Sequence, residues 1–437
     1  MAIERKEYRV LSVGFRGDIR TSLKNEFNII CSISDDLDAE INWTELHLMQ
    51  TSSIKPNLSS AMLSCLNEVK KHYLKFSDIN SRRFYYINER ESEVYNAFIL
   101  TFYQIYRLLV NEKINLVLHS NIPHEGFDYL IYLVSKYLKI ESILCYQSLF
   151  ANYFWMSRTL EDFGKISLNP NLQEINTSCY VLPNNWFYMK GANRDHSYSF
   201  RHAALEIIRK PYRIVPALVR SIYAHEYRLN IRRLVGQKIN DGKYIYFPLH
   251  LQPELTTSAL GGDFSDQLLA LESLSTWIPG DYQILIKENP KQTEKQRGKL
   301  FYKRLSALKN VRLLPPGESS IDLIRNSSAV ATITGTAGWE ALFYGKPVLI
   351  FGLAWYREFA GVMQFNFDLN FNEFIRITPP PRDVLVNELD HALQTAGLGV
   401  VDEEYAPLVE GFDSKVNGKS VVRSIVDYIT LASPSKN

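Results

Sequence analysis

The sequence predicts an α/β protein with two domains, each built on a parallel β-sheet. A chain of 437 residues exceeds what one hydrophobic core usually supports. Apolar runs of strand length alternate with helical patterns from Tyr244 onward, and a strand, helix, strand unit spans Ile114 to Tyr146. No GxGxxG motif accompanies these units, so the sequence does not support a standard dinucleotide site.

The N-terminal half contains one informative unit. Its predicted elements are a strand at Tyr8–Val13, a turn at Gly14–Asp18, a helix at Ala97–Val110, a strand at Ile114–His119, a helix at Phe127–Leu138 and a strand at Ser142–Tyr146. Residues 20–90 show no pattern that assigns them. The turn at Gly14–Asp18 lies where open α/β sheets bind ligands, although it fits a plain connection equally well. His124 and Glu125 lie at the carboxyl end of a strand, the end at which such sheets bind ligands.

The C-terminal half alternates regularly between strands and helices. The predicted strands are Tyr244–Leu249, Tyr282–Ile286, Val311–Leu314, Val330–Ile333 and Val348–Phe351. The predicted helices between them are Ser265–Trp277, Gln296–Leu308, Ser320–Arg325 and Trp339–Phe343. Helical crossovers of this length indicate parallel strands with right-handed connections. A final helix with an apolar stripe from Val421 to Ile429 is long enough to cross back onto another domain.

Residues 201–240 differ in character from the rest, with nine Lys and Arg against two acidic residues. One interpretation is a solvated helical linker over an interdomain surface. The other is an interfacial segment attracted to anionic lipid, since each surface Lys or Arg adds roughly 1 kcal/mol near such a membrane. Pro211 and Pro216 argue against one long regular helix here.

Composition excludes several functional classes. A net charge of +2 argues against a nucleic-acid binder driven by bulk charge. The four cysteines are scattered, without a CxxC pair, which fits free thiols in a reducing cytoplasm and makes a zinc site unexpected. Met1 to Arg9 lacks the apolar core of a signal peptide, and no run approaches the ~20 apolar residues that span a bilayer. We therefore expect a cytoplasmic protein without a metal, whose membrane contact is at most peripheral.

The segment Ala329 to Gly352 is the most suggestive stretch for ligand binding. A β-branched strand meets a turn of small residues, so the first N–H groups of the next helix and the hydroxyls of Thr334 and Thr336 suit an anion such as phosphate. Glu340, about one helical turn further on, suits a ribose hydroxyl. The alternative is a plain connection in which glycines allow close packing. Thr-Gly-Thr together with the glutamate favours a nucleotide site.

Two further polar loops follow their strands in the same sense as this turn. They begin at His250 and at Lys287, so all three loops are expected at one edge of the sheet. Either Lys287 or Arg297 would supply the positive charge that neutralises a bound anion. Each residue taken alone also fits a surface turn, and Asn289 with its following proline fits that interpretation well. The convergence of three loops favours a site.

Four residues are candidates for the chemistry. Glu254 and Glu125 would supply a carboxylate from each domain, one as acid or base and the other as nucleophile or electrostatic stabiliser. His124 and His250 are the alternative proton carriers, although a lone histidine is equally often a structural hydrogen-bonding residue.

At these residues the chain resembles a known family. The motifs are Asn121–Glu125, Phe247–Glu254, Lys287–Pro290 and Thr334–Glu340. They are similar to segments of bacterial capsule and O-antigen polysaccharide synthesis proteins, and within that group to the retaining β-Kdo glycosyltransferases. The likeness is strong over residues 244–355 and weak before Leu116. That family has His where Asn289 stands here, which puts a charged or proton-transfer role at this position in doubt.

The resemblance implies a GT-B fold, with two Rossmann-like domains facing a cleft and the last helix returning to the first domain. We accordingly expect domains at 1–240, including a basic linker at about 201–240, and at 241–400, with 401–437 packing back on the first. The resemblance also implies CMP-Kdo as donor, no metal, and double displacement through a carboxylate. The donor-binding residues are then Gln252, Lys287, Asn289, Thr334, Gly335, Thr336 and Glu340.

The predicted function is transfer of Kdo, or a related acidic sugar, from a CMP-sugar to a growing and sometimes lipid-linked glycan with retention. The partners are thus a nucleotide-sugar donor and a glycan acceptor, with no nucleic acid. Three alternatives stay open: a GT-B transferase of another nucleotide sugar, an epimerase of the same fold, and a non-catalytic scaffold of capsule assembly.

Overall fold

The chain folds into two compact units. The computed structural model describes residues 7–48, 58–84, 91–173, 182, 214–236, 243–253, 255–292 and 297–431. Of these, the first unit contains the residues up to 173 and those from 387 onward, and the second contains those from 214 to 386.

The elements are numbered in chain order. The described strands are β1 Arg9–Val13, β2 Asn28–Ser34, β3 Ile41–Asn42, β4 Leu116–His119, β5 Glu141–Gln147, β6 Tyr153–Ser157, β7 Lys243–Pro248, β8 Tyr282–Lys287, β9 Val311–Leu313, β10 Ala329–Thr332, β11 Val348–Ile350, β12 Val362–Gln364 and β13 Gly397–Leu398. The described α-helices are α1 Gly17–Glu26, α2 Trp43–Leu48, α3 Ser60–Val69, α4 Tyr73–Phe84, α5 Glu91–Asn111, α6 Phe127–Tyr137, α7 Ile214–Leu234, α8 Leu255–Leu260, α9 Gln267–Trp277, α10 Lys299–Ser306, α11 Ser320–Asn326, α12 Thr336–Phe343, α13 Phe371–Phe374, α14 Arg382–Gln394 and α15 Ser414–Leu431.

The first unit is built on a mixed sheet that is parallel at its centre. Over the described residues its strand order is β13-β6-β5-β4-β1-β2-β3. β1 pairs in parallel with both β2 and β4, whereas β6 pairs antiparallel with β5 and β13. The stretch 20–90, which the sequence left unassigned, contributes β2, β3 and helices α2 to α4.

The second unit is built on a fully parallel sheet. Within the part of the chain that is described, its strand order is β12-β11-β10-β7-β8-β9, and every pairing is parallel. The alternating pattern read from Tyr244 onward is therefore confirmed. The short helix α8 was not expected, and α10 starts later than predicted, at Lys299.

The last helix returns to the first unit, as expected. Its apolar stripe, from Val421 to Ile429, lies in one buried cluster with Ile19 and Leu23 of α1. Gly418 lets the two helices approach closely, because a Cβ atom there would lie 2.6 Å from the main-chain oxygen of Asp18. Two Rossmann-like parallel-sheet units, with the C-terminal helix on the first, thus confirm the predicted fold class.

The helix α7, from the basic segment, packs on the second unit. Tyr227, Ile231 and Leu234 contact the buried cluster around the second sheet. The sequence had assigned this segment to the first domain, and the structure differs because this apolar face fits α10 and β9. Pro216 lies in the first turn of α7, where its missing N–H would have no helical partner, so it does not interrupt the helix.

Candidate functional site

The second sheet has a topological switch point beside β7. The chain runs from β7 to β8 and β9 on one side, then returns to β10 on the other side of β7. Ligands of open α/β sheets bind in the crevice that such a reversal leaves at the carboxyl ends of the strands. The loops after β7, β8 and β10 lie on adjacent strands, so the structure brings the three polar loops to one edge.

His250 lies in the loop after β7, and both its main chain and its ring are hydrogen-bonded. Its main-chain N–H donates to Gln267 Oε1 over 2.7 Å, and its carbonyl accepts from Gln267 Nε2 over 3.0 Å. Its ring Nε2 lies 2.8 Å from Thr332 Oγ1 at the end of β10. The ring therefore ties the loop after β7 to the strand across the crevice.

The hydrogen bonds around the ring of His250 assign its tautomer. The N–H of Ile333 donates to Nε2 over 3.3 Å, so Nε2 is an acceptor. Thr332 Oγ1 accepts from the N–H of Gly335 over 3.1 Å and is free to donate its own hydrogen to Nε2. Burial, and secondarily the guanidinium of Arg297, lowers the pKa of His250 to about 4. The ring is neutral at pH 7, with its proton on Nδ1.

The Thr-Gly-Thr turn forms the N-terminus of α12. Gly335 is the N-cap and supplies no side chain to the exposed helix N–H groups. A Cβ atom at Gly335 would lie 2.8 Å from Thr332 Oγ1 and 2.9 Å from Cε1 of His250, so close packing requires glycine here. Thr334 Oγ1 is buried without a hydrogen-bond partner among the described groups. An uncapped helix N-terminus beside an unsatisfied hydroxyl is suited to bind an anion.

Glu340 lies further along α12 and is partly buried. Its carboxylate is close enough to two tyrosines, Tyr246 and Tyr356, to contribute to their raised pKa values, for which burial is the main cause. Tyr356 also donates to the carbonyl of Gly335 over 2.5 Å, which fixes the start of the helix.

Lys287, at the end of β8, is engaged by the loop after β9. Its Nζ donates to the carbonyl of Glu318 over 2.6 Å and to Ser320 Oγ over 3.1 Å. Burial lowers the pKa of its ammonium group. The lysine brings positive charge to the edge, but its position is set by protein groups.

Arg297, the other expected cation, is buried in an ion pair. Its Nε donates to Glu288 Oε2 over 3.1 Å and its Nη2 donates to the carbonyl of His250 over 3.0 Å. Its Nη1 donates to Oε1 of Gln252, whose own amide donates to the carbonyl of Ser265 over 2.7 Å. Arg297 and Gln252 therefore connect the loops to one another.

Of the two other predicted residues of these loops, the structure describes Asn289 but not Glu254. Asn289 makes a local turn, because its Oδ1 accepts from the N–H of Lys291 over 2.9 Å. Glu254 lies outside the described residues.

The first sheet has a corresponding switch point between β1 and β4. The loop after β4 carries His124 and Glu125, with His124 Nε2 3.3 Å from Glu125 Oε1. His124 Nδ1 lies 2.7 Å from the carbonyl of Ile122, to which it donates. The carboxylate of Asp128 accepts from the N–H of His124 over 2.9 Å and from that of Glu125 over 2.7 Å. This turn thus presents an imidazole and a carboxylate in contact.

Several residues that shape these sites were not found from the sequence. In the sequence, Gln267 is a polar residue near the start of an apolar helix. In the structure it is fully buried and accepts a hydrogen bond from the main chain of His250. Thr332 reads as an ordinary strand residue, and Tyr356 and Asp128 stand in patterns typical of a core and of a helix start. A polar residue at an otherwise apolar helix position was the available signal for Gln267.

Among the residues that the structure describes, no three His, Cys, Asp or Glu side chains are grouped as metal ligands. Over the same residues, no helix combines the length and apolar character needed to cross a bilayer.

Part of the chain matches the sequence model of a known protein family. Residues 218–383 match the sequence model of the family described as capsule polysaccharide biosynthesis protein. The chain is similar to capsule synthesis proteins. The matched segment contains β7 to β12 and the three loops of the switch point. It therefore confirms the resemblance drawn from the sequence motifs there. No curated protein matches the chain.

Several solved structures are similar to the chain at low identity. The Thermosulfurimonas dismutans KpsC beta Kdo 2,7 transferase is 12% identical with a TM-score of 0.36, over 95% of this chain and 98% of that one. The beta Kdo 2,4 transferase of the same KpsC is 10% identical with a TM-score of 0.32, over 75% and 93%. The Methanocaldococcus jannaschii UDP-GlcNAc 2-epimerase is 12% identical with a TM-score of 0.25, over 96% and 99%. These scores are low, so the solved structures say nothing about the activity of this chain.

Proposed function

We propose that this protein is a capsule-type glycosyltransferase that moves Kdo, or a related acidic sugar, from a CMP-sugar to a growing glycan with retention. The observation that carries the proposal is the anion-binding edge of the second sheet. There, an uncapped helix N-terminus, the hydroxyl of Thr334 and the neutral imidazole of His250 lie around one switch point. The match of residues 218–383 to capsule synthesis proteins supports the class of reaction.

The charge at this edge supports a leaving group with one phosphate. Arg297 is compensated by Glu288, and Lys287 is held by Glu318 and Ser320. The positive end of a helix dipole, equivalent to roughly half an elementary charge, matches a singly charged phosphodiester better than a diphosphate. The sugar carboxylate of Kdo adds a second anion, for which Lys287 is a predicted cation of this edge.

The first switch point supports the bond-breaking step. A retaining transfer needs a carboxylate oxygen to attack the anomeric carbon as the bond to the CMP phosphate breaks. The acceptor hydroxyl then displaces the carboxylate and loses its proton to a base. Glu125, with His124 at 3.3 Å, offers a carboxylate and a proton carrier in one turn. Glu254 is the alternative carboxylate, and the assignment of nucleophile between the two belongs to this proposal. We expect no metal to take part.

The donor is tested directly. The protein is incubated with CMP-Kdo and a synthetic or lipid-linked oligosaccharide acceptor, and released CMP and extended glycan are quantified together. We expect both products in equal amounts. Consumption of a UDP-sugar without release of CMP would reject the donor. Binding of CMP-Kdo without turnover on any acceptor would favour a scaffold, and conversion of a free nucleotide sugar to its epimer would favour an epimerase.

The exposed face of α7 supports a peripheral contact with the inner membrane. It carries His225, Arg228, Arg232 and Arg233, and Ile222 beside them is 66% exposed. Lys and Arg near an anionic surface contribute roughly 1 kcal/mol each, so replacing the three arginines with glutamine would weaken binding about 100-fold. Cosedimentation with phosphatidylglycerol vesicles measures this. Equal binding of the triple variant, or equal binding to phosphatidylcholine vesicles, would contradict the contact.

A further inference from the structure

Arg297 joins two of the three loops at the carboxyl edge of the second sheet. Its side chain is completely buried, and its three nitrogens bind three different residues. Nε donates to Glu288 in the loop after β8, while Nη2 and Nη1 donate to His250 and Gln252 in the loop after β7. One planar guanidinium therefore fixes the distance and angle between the two loops.

The geometry of this contact requires arginine. A guanidinium presents five N–H donors in a fixed plane, whereas an ammonium is a point charge on a flexible stem. The ring of Phe301 lies 4.4 Å from the guanidinium carbon and holds its plane. Because Glu288 compensates the charge, the role of Arg297 is orientation rather than direct attraction of an anion.

The consequence of this orientation falls on His250. Gln267 holds the main chain of this histidine from one side and Arg297 holds its carbonyl from another. The ring bonds of the described residues all use Nε2, which leaves Nδ1–H for a ligand. We infer that Arg297 is a positioning residue that sets His250 to donate this Nδ1–H to the phosphate of the nucleotide. This inference rests on the donor site proposed above.

Three variants separate positioning from simple charge compensation. Arg297→Lys keeps the positive charge and loses the planar set of N–H donors. The double variant Arg297→Gln with Glu288→Gln removes both charges, so no buried charge is left unpaired, but it cannot restore three oriented bonds. Arg304→Gln is the matched control, because Arg304 lies nearby on α10, binds the carboxylates of Asp266 and Glu272, and is partly exposed.

The measurements are CMP affinity by calorimetry, the kcat and KM for CMP-Kdo, and the melting temperature. We expect Arg297→Lys and the double variant to lower kcat/KM by about 100-fold, because small displacements of a positioned group have effects of that size. Arg304→Gln should keep the wild-type values. A double variant with wild-type CMP affinity and kcat/KM would overturn the inference, since charge compensation alone would then explain Arg297.

A second measurement does not depend on the donor or on the stability of the double variant. Nitrogen NMR of the histidine rings in the wild type should show His250 with its proton on Nδ1, and in Arg297→Lys it should show a mixture of tautomers. A wild-type ring protonated on Nε2, or an unchanged ring in Arg297→Lys, would overturn the inference. Failure of the wild type to bind CMP would reject the proposed function instead, and the NMR result would still decide the role of Arg297.

Discussion

The two units have the same kind of switch point, but different groups meet the main-chain N–H groups beside it. In the first, carboxylates accept from main-chain N–H groups at the start of α1 and in the turn before α6: Asp36 accepts from the N–H of Gly17, and Asp128 accepts from those of His124 and Glu125. In the second, α12 begins at Gly335 without a side-chain cap. A helix N-terminus attracts an anion only where the chain has not already supplied one. Under the proposed function, the first switch point is the acidic edge for bond-breaking and the second is the anion-binding edge for the nucleotide.

The largest effect is expected at the acidic edge. Glu125→Gln keeps the size of the side chain and removes the carboxylate that contacts His124, so transfer should fall by about 10³-fold. Glu161→Gln serves as the control, since Glu161 is an exposed partner of Lys136. The rate of CMP release in the presence of acceptor measures both. Retained activity would remove Glu125 from the catalytic set, and the same substitution at Glu254 then tests the alternative carboxylate.

A second effect compares the buried histidines of the two edges. Burial lowers the pKa of His119, at the end of β4, to about 3, and the pKa of His250 to about 4. An unfolded histidine titrates near 6.5, so between these values the unfolded chain binds more protons than the folded chain. The contribution of these neutral histidines to the free energy of unfolding is therefore fully present above about pH 6.5. It is lost as the pH falls toward 4, and the loss is about 3 kcal/mol for His250 alone.

Urea unfolding of the wild type and of His250→Gln at pH 7 and pH 5 checks the contribution of the second edge. The variant should lose less stability than the wild type over this interval. Equal losses would show that His250 is not a neutral buried ring in the folded protein. His119→Gln gives the matching measurement for the first edge.

The substitution Gly335→Ala tests whether the anion-binding edge holds the nucleotide. The added methyl would meet Thr332 Oγ1 and the ring of His250 within 3 Å, and overpacking of this kind costs about 1–3 kcal/mol. We expect urea unfolding to show this cost, and CMP affinity to fall because the helix start that would hold the phosphate is displaced. Gly280→Ala is the control, because a Cβ atom there meets nothing within 4 Å. Unchanged CMP affinity in Gly335→Ala would place the nucleotide elsewhere.

The sequence predicts the architecture of these edges better than their side-chain contacts. Alternating apolar runs determine a parallel sheet, and the carboxyl ends of parallel strands must share one edge, which is why the loops at His250, Lys287 and Thr334 could be grouped in advance. Whether Lys287 and Arg297 remain available to a ligand depends on distances between remote segments, and no local pattern encodes these. Residues 20–90 stayed unassigned for a related reason, since α3 and α4 pack on α6 and α5 while β2 and β3 pair within the sheet, and these contacts lie far from them in sequence or depend on other elements.

The smallest expected effect tests whether the Asp128 carboxylate keeps anions from the first edge. Asp128→Ala removes the carboxylate that accepts from the N–H groups of His124 and Glu125, and loss of such a hydrogen bond costs about 0.5–1.5 kcal/mol. Urea unfolding should show this loss, with Asp281→Ala, an exposed residue paired with Lys243, as the control. If inorganic phosphate restores the stability of Asp128→Ala but not that of the wild type, the two edges differ by this one internal carboxylate. If phosphate has no effect on the variant, the difference lies in the shape of the loop after β4 rather than in its charge.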